Sequence, residues 1–420
     1  MTWYRQTCVE KQFYPPLRAN LSCRIALVGS GLAGVSTAVS LLEKGERDLC
    51  LLDADQPMAG ASGRNGGFVF AGYSRSPGWL LGKLGHARAA PLYALTLEGM
   101  ERIRHRCRRY GLQADIRDSG VLLANWFHDG RLKRLQADLQ ALQAGEHRWL
   151  SPDELAGELE TTCYHDGLLE TGAFHFHPLN YGLGLVRQLT EAEVPVYGGS
   201  PVLRIERKHR GWILHMPAGR VECEQVVVCG GGYQPAWKPA AIRRAVLPVA
   251  TWIVVTEPVA HRLPKLFERG WAVYDSRFAF AYYRPLPDGR LLWGGGIRAA
   301  AMDEAMIRRQ AVADMARCYP QLAGVAIEHA WWGWMSYARH QMPQILEYQP
   351  GFWVGQGFGG HGMATTTAAG EVLARGVCGD RLLLELFRPF ALSHAGGMIG
   401  QVAAEAVYRV LQWRDRFQGA

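Results

Sequence analysis

Residues 24–53 read RIALVGSGLAGVSTAVSLLEKGERDLCLLD. Arg24–Val28 is a short apolar run of the kind that forms a strand buried on both faces. Leu32–Lys44 carries apolar residues at helical spacing and stops at Gly45, which suits the left-handed turn past a helix end. Asp48–Asp53 is a second buried strand, and the three pieces make a strand–helix–strand unit of about 30 residues, one parallel crossover. Between the first strand and the helix stands Gly29-Ser30-Gly31-Leu32-Ala33-Gly34. Gly29 permits the tight turn, Gly31 lets a pyrophosphate approach the backbone, and Gly34 lets the helix pack close to the strand. The helix start, with Leu32 and Ala33, offers amide donors and the positive end of a dipole. Asp53, followed by Ala54, closes the second strand, where a carboxylate accepts ribose hydroxyls. A glycine pattern alone is weak; strand, helix, second strand and terminal acid together point to a bound dinucleotide.

The loop that follows separates FAD from NAD. Ala61-Ser62-Gly63-Arg64-Asn65-Gly66-Gly67 is rich in donors and poor in bulk. FAD needs a second such loop where its pyrophosphate meets the flavin, and NAD dehydrogenases do not. Ser62 and the amides of Gly63, Gly66 and Gly67 suit the pyrophosphate, while Arg64 and Asn65 can face the ring system. Farther on, Gln225–Cys229 is a buried strand closed by Gly230 and Gly231, candidates for further cofactor contact.

The rest of the chain alternates in texture. Residues 91–147 read as helices, with an arginine-dense piece at 101–110 whose charges spread around a solvated face. Pro178–Thr190 is helical, and short strands are expected at Val194–Tyr197, Val202–Arg207 and Gly211–His215. From Ala245 to Ile297 the chain reads as strands, ending in a hairpin through PLPDG. Helices at 301–318 and Met363–Ala374 flank a strand at Gly351–Val354, and Met398–Trp413 is an amphipathic helix candidate. The expected fold class is α/β: a glutathione-reductase-type Rossmann domain plus a second domain with a mixed or antiparallel sheet and helices. The FAD-binding domain is expected at 20–85, 148–235 and 335–395, the substrate domain at 86–147 and 236–334, and a C-terminal helix at 396–420.

Composition removes other classes. The 420 residues are 48% hydrophobic and 20% charged, which excludes a disordered chain. The 49 glycines and 21 prolines have no three-residue period, so a collagen-like fibre is excluded. Nine scattered cysteines without a C-x-x-C motif argue for reduced thiols rather than a disulfide framework or zinc ribbon. The first 20 residues lack an apolar run, so no secretory signal is expected and a cytoplasmic location is. Ile25–Leu42 is free of charge and long enough to raise a membrane span, but its glycines and serines fit the nucleotide turn instead. A net charge of +8 permits nucleic acid, yet no nucleic-acid module accompanies it, and none is expected as a partner. His175 and His177 have strand-like spacing for a metal pair, but no third ligand is evident and no metal is expected.

GSGLAG, Asp53, GASGRNGG, the block YDSRFAFAYYRPLPDGRLLWGGG and GQGFGGHGMATTTAAG occur in this order. Together they resemble the D-amino-acid oxidase/glycine oxidase superfamily of FAD-dependent oxidoreductases. Within it, GASGRNGG, the YD…YYR…GGG block and the N-terminal WY…PPL are most similar to the gamma-glutamylputrescine oxidase branch. The likeness runs from about residue 3 to 400. It implies that Val202 contacts the adenine half through its backbone, and that Gly359, Gly360, His361, Gly362 and Met363 wrap the pyrimidine side of the flavin. It also implies a sheet covering the flavin. If Phe278–Arg284 is a strand, Phe278, Phe280, Tyr282 and Arg284 share one face of it.

Two departures bear on chemistry. Amino-acid oxidases of the superfamily place a carboxylate-clamping arginine before a T-x-D-x-x-P-like segment; here Met335, Ala338 and His340 occupy the corresponding positions. Arg64, Arg284 or Arg339 can substitute, but a simple amine becomes the better substrate. Some sarcosine-oxidase relatives carry a flavin-linking cysteine and an oxygen-activating lysine, but Trp331–Pro343 has no Cys and Arg290–Ile297 no Lys. Non-covalent FAD is therefore expected. The expected reaction passes a hydride from the carbon beside an amine to flavin N5, and water hydrolyses the imine. Tyr282, Arg284, Asp275 and His361 are the candidate substrate contacts, with Trp331 and Trp332 as cage candidates. Dioxygen or another acceptor would reoxidise the flavin, and a monomer or small homo-oligomer is expected. Alternatives on the same fold are an enzyme for an amino acid, a glycerol phosphate or a modified nucleobase, and a non-catalytic flavin-binding protein.

Overall fold

Val28 and Val228 lie side by side on parallel strands, and the architecture grows outward from that pair. A computed structural model describes residues 1–418. Asn20–Val28 is flanked by Gly219–Val228 and Leu49–Leu52, both parallel to it. Phe352–Gln356 and Val196–Tyr197 extend the parallel core on either side, and Gln344–Gln349 closes one edge antiparallel. Residues such as Ile25, Leu27, Leu51 and Val227 are fully buried, as expected of strands covered on both faces. Helices Leu32–Glu43, His86–Arg109 and Gly362–Val377 pack together on one side of this sheet.

The second sheet is mixed. Its order is Ile327–Ala338, Val246–Pro258, Arg290–Arg298, Tyr282–Pro285, Ala272–Asp275, Val121–Ala124, Gly167–Glu170 and His147–Leu150. All neighbours are antiparallel except Ala272–Asp275 beside Val121–Ala124. Helix Glu304–Cys318 buries Ile307, Ala311 and Met315 under it.

The structure corrects several readings. Residues 91–147 are not all helical: Val121–Ala124 is a strand, because this apolar run finds a partner on each side. His147–Leu150 and Gly167–Glu170 join the second sheet, although the expected boundary assigned 148–235 to the FAD-binding domain. Ile327–Ala338 likewise runs past the expected boundary at 335. Phe278 lies in a turn and Phe280 in irregular chain after it, and the strand begins only at Tyr282. The arginine-dense helix is not wholly solvated. Arg106 is fully buried and holds Glu43 at 2.8 Å, where helix His86–Arg109 meets Leu32–Glu43.

Ile25–Leu42 spans a strand, a turn and a helix of the first domain. Among the described residues no helix is long and apolar enough to cross a membrane. Helix Gly397–Gln418 corresponds to the expected C-terminal helix 396–420, whose last two residues lie outside the described ones.

Candidate functional site

A cavity of about 1030 Å³ runs from the carboxyl ends of the first sheet to the underside of the second. It exceeds the roughly 300–1,000 Å³ of ordinary small-molecule sites. Its end at the first sheet is lined by Gly29, Gly31, Leu32 and Ala33 with Asp53, Ala54 and Val202. Gly29 has φ +103°, in the left-handed region that glycine tolerates best. A Cβ on Gly34 would run into the Gly29 carbonyl, so this glycine serves close packing and does not line the cavity. Ser62 Oγ accepts the Leu32 amide at 2.8 Å, joining the second loop to the helix start. Asp53 Oδ2 accepts Ser30 N and Ser30 Oγ, each at 2.6 Å, and its Oδ1 accepts Asp55 N at 3.0 Å. Burial raises the Asp53 carboxyl above its usual range.

The second loop is held from within. Asn65 donates to the carbonyls of Ala61 and Ser62 and accepts the Gly67 amide. Its amide group therefore closes the loop rather than pointing free at a ring. Arg64 lines the cavity, and its carbonyl accepts Trp331 Nε1 at 2.9 Å. Gly63 and Gly67 stay off the cavity, where Cβ atoms would strike the carbonyls of Met58 and Phe176.

Opposite this loop stands Gly357–Met363. Helix Gly362–Val377 starts here without a side-chain cap from His361, and Gly359, Gly360, His361, Gly362 and Met363 all line the cavity. First-turn amides of a helix lack intrahelical partners. Burial holds His361 down to about 4, so its imidazole is neutral at pH 7. Gly230 and Gly231 border the same space.

These features fit FAD. Two helix N-termini without a side-chain bond from their N-cap residues open on one cavity, which suits anionic groups. Two glycine loops leave room where side chains would not. The resident residues that would hold FAD are those just named.

The substrate-side candidates separate. Tyr282 lines the cavity, and a Cβ on Gly294, its cross-strand partner, would collide with its ring. The glycine of the GGG block thus makes the space for this tyrosine. Asp275 borders the cavity but is bound to Arg277, whose guanidinium also meets Asp314 at 2.7 Å. Arg284 is 3% exposed and donates to Gly66, Phe176, Tyr4 and His175. It is a tie behind the Gly66 loop, not a cation facing the cavity. Trp331 is buried behind that loop, and neither it nor Trp332 lines the cavity, whereas Trp334 does. Met335 lines the cavity at the position of the missing arginine, and Arg339 borders a neighbouring pocket.

Sequence reading missed Lys238, Tyr93, Phe70, Tyr274 and Glu170, all of which line the cavity. Lys238 is 3% exposed, donates to the Tyr233 carbonyl at 2.8 Å, and is held down to about 8 by burial. Of these only Tyr274 falls within a motif, the YD…YYR…GGG block, and strand pairings between distant segments bring it together with Glu170.

The sequence and fold are similar to those of known proteins. The profile of the family described as FAD dependent oxidoreductase matches residues 24–375. The chain is 29% identical over 378 residues to gamma-glutamylputrescine oxidoreductase of Escherichia coli K12, a match spanning 89% of this chain and 88% of that one. It is 26% identical over 420 residues to a probable oxidoreductase, OrdL, of Haemophilus influenzae, covering 96% and 95% of the two chains. The crystal structure of glycine oxidase from Geobacillus kaustophilus superposes with a TM-score of 0.74 at 19% identity, covering 89% and 99%.

Proposed function

Because the chain belongs to the FAD dependent oxidoreductase family, we propose that it oxidises a C–N bond of a small amine, with FAD held non-covalently. FAD supplies the hydride acceptor, so that the carbon beside the nitrogen loses a hydride and water hydrolyses the resulting imine. In this reading the Gly29–Gly34 turn and Ser62 hold the pyrophosphate, Asp53 the ribose, and Val202 the adenine side. Arg64, Asn65 and the Gly359–Met363 segment border the ring system. The second sheet roofs the substrate, with Tyr282 lining the cavity on its side.

The observation that carries the substrate class is the cavity wall at Met335, where a thioether stands in place of a carboxylate-clamping arginine. Similarity to gamma-glutamylputrescine oxidoreductase supports the same class. The residues do three things: they orient the amine, exclude water with aromatic rings, and keep His361 neutral so that it places no charge beside the reacting carbon. A low-polarity chamber favours the neutral amine, the form able to release a hydride.

Arg64 favours a second reading, an amino acid whose carboxylate it binds. Anaerobic mixing of the FAD-loaded protein with amines and with amino acids decides between them. Flavin bleaching by amines is expected; bleaching only by amino acids supports the second reading, and bleaching by neither overturns both. Acid precipitation should leave the yellow colour in the supernatant, and colour retained in the pellet would overturn non-covalent attachment.

A further inference from the structure

Beyond Tyr282 the cavity continues as a chain of rings. Tyr282 lies 5.8 Å from Phe280, Phe280 6.2 Å from Tyr274, and Tyr274 stacks on Phe70 at 5.2 Å. Glu170, the last residue of strand Gly167–Glu170, lines the same cavity. Its side chain is only 15% exposed. Oε1 accepts the Ala71 amide at 3.2 Å. His147 Nε2 stands 3.9 Å from Oε2, too far for a hydrogen bond.

Among the described residues, the nearby basic groups form no hydrogen bond with this carboxylate. Burial lowers the basicity of His147, whose Nδ1 lies 3.2 Å from the Gly145 carbonyl. Arg104, the arginine whose field reaches Glu170, is bound to Asp118 and to the Gly172 carbonyl. Among the described residues no Lys or Arg forms an ion pair with Glu170. A buried carboxylate without a counter-charge is costly when ionised. Aromatic faces around it attract cations.

We propose that Glu170 and the rings of Tyr93, Tyr274 and Phe70 form a subsite for a second, protonated amine on the substrate. This rests on the amine reading above and narrows it to diamines and aminoalkyl amines. One nitrogen sits neutral near the flavin loop, and the other is held as an ammonium against Glu170.

Calorimetric titration of the FAD-loaded protein tests this with diamines from 1,4-diaminobutane to 1,6-diaminohexane, each against the monoamine of equal carbon number. At least one diamine should bind roughly tenfold or more tightly than its monoamine, as a buried charge pair requires. Glu170→Gln should bring the two to equal affinity, and Glu170→Asp should keep part of the preference. Equal affinities in the unaltered protein, no measurable diamine binding, or a preference that survives Glu170→Gln would each overturn the subsite. The unaltered protein suffices if a variant does not fold. Flavin bleaching in the same samples keeps the two claims apart. Diamine preference without bleaching overturns the oxidation reading alone, and bleaching without preference overturns the subsite alone.

Discussion

Arg284 donates its Nε–H to the carbonyl of Gly66 at 2.6 Å. The two residues are far apart in the chain, one on the second sheet and one in the loop beside the cofactor cradle. The same guanidinium reaches the Phe176 carbonyl at 2.9 Å and the Tyr4 hydroxyl at 3.1 Å. The N-terminal helix Trp3–Thr7 thus joins the tie, and Trp3 Nε1 reaches Asp288 at 3.1 Å.

Arg284→Met should unfasten this tie. It leaves buried carbonyls without donors, each costing about 1–3 kcal/mol. A lower melting temperature and a lower flavin-to-protein ratio are expected. A variant that keeps full FAD and bleaches normally would show that the tie is dispensable.

Gly34→Ala should abolish FAD retention. The added Cβ meets the Gly29 carbonyl, and backbone cannot yield as a flexible side chain does. Overpacking of this kind costs about 1–3 kcal/mol or more. The measurement is the absorbance of purified protein in the visible flavin bands, and an undiminished spectrum would contradict the packing account.

Acid should destabilise the fold through two histidines. His175 Nδ1 accepts from Arg284, so its Nε2–H donates to the Gly270 carbonyl at 2.8 Å. His177 Nδ1 accepts the Asn180 amide, leaving Nε2–H for Thr7 Oγ1. Burial, with the field of Arg284, holds both rings down from 6.5 to about 3. Folded-state values below the unfolded ones mean that stability is complete above pH 6.5 and is lost as pH falls toward 3. Several kcal/mol should disappear between about pH 6.5 and 4. Denaturant melts at stepped pH check this, and a double His175→Gln, His177→Gln variant should show a shallower acid slope.

Glu170 acts in the opposite sense. Burial raises its carboxyl from 4.5 to about 7. The stability it contributes is therefore complete below pH 4.5 and is lost as pH rises through 7. Without amine present, Glu170→Gln should match the unaltered protein near pH 5 and exceed it at pH 8.5 by up to about 3 kcal/mol. Parallel melting curves at the two pH values measure this difference, and a pH-independent offset would contradict the assignment.

Much of the glycine-lined end of the cavity was legible because its determinants are local. Gly29, Gly31, Gly34 and Asp53 sit within one strand–helix–strand unit, and their spacing sets where they fall in it. The substrate side was not legible in the same way. Tyr282 was picked out from an alternating pattern, yet Phe278 lies in a turn and Phe280 in irregular chain after it. Arg284 resembled a substrate-facing cation, but its position within a strand cannot reveal which carbonyls surround its guanidinium.

By itself, then, the sequence determined the strand–helix–strand unit, the glycine-rich loop after it and the second, strand-rich part, since each is encoded in contiguous residues with a period or a glycine requirement. Only the tertiary structure decided that Arg284 locks the Gly66 loop, that Asp275 holds Arg277, and that Glu170 shares a cavity with Tyr93, Tyr274 and Phe70. Those outcomes depend on pairings such as Val121–Ala124 with Ala272–Asp275 and Gly167–Glu170. Such long-range partners are chosen by burial and backbone hydrogen bonding across the whole sheet, which no local stretch of sequence specifies.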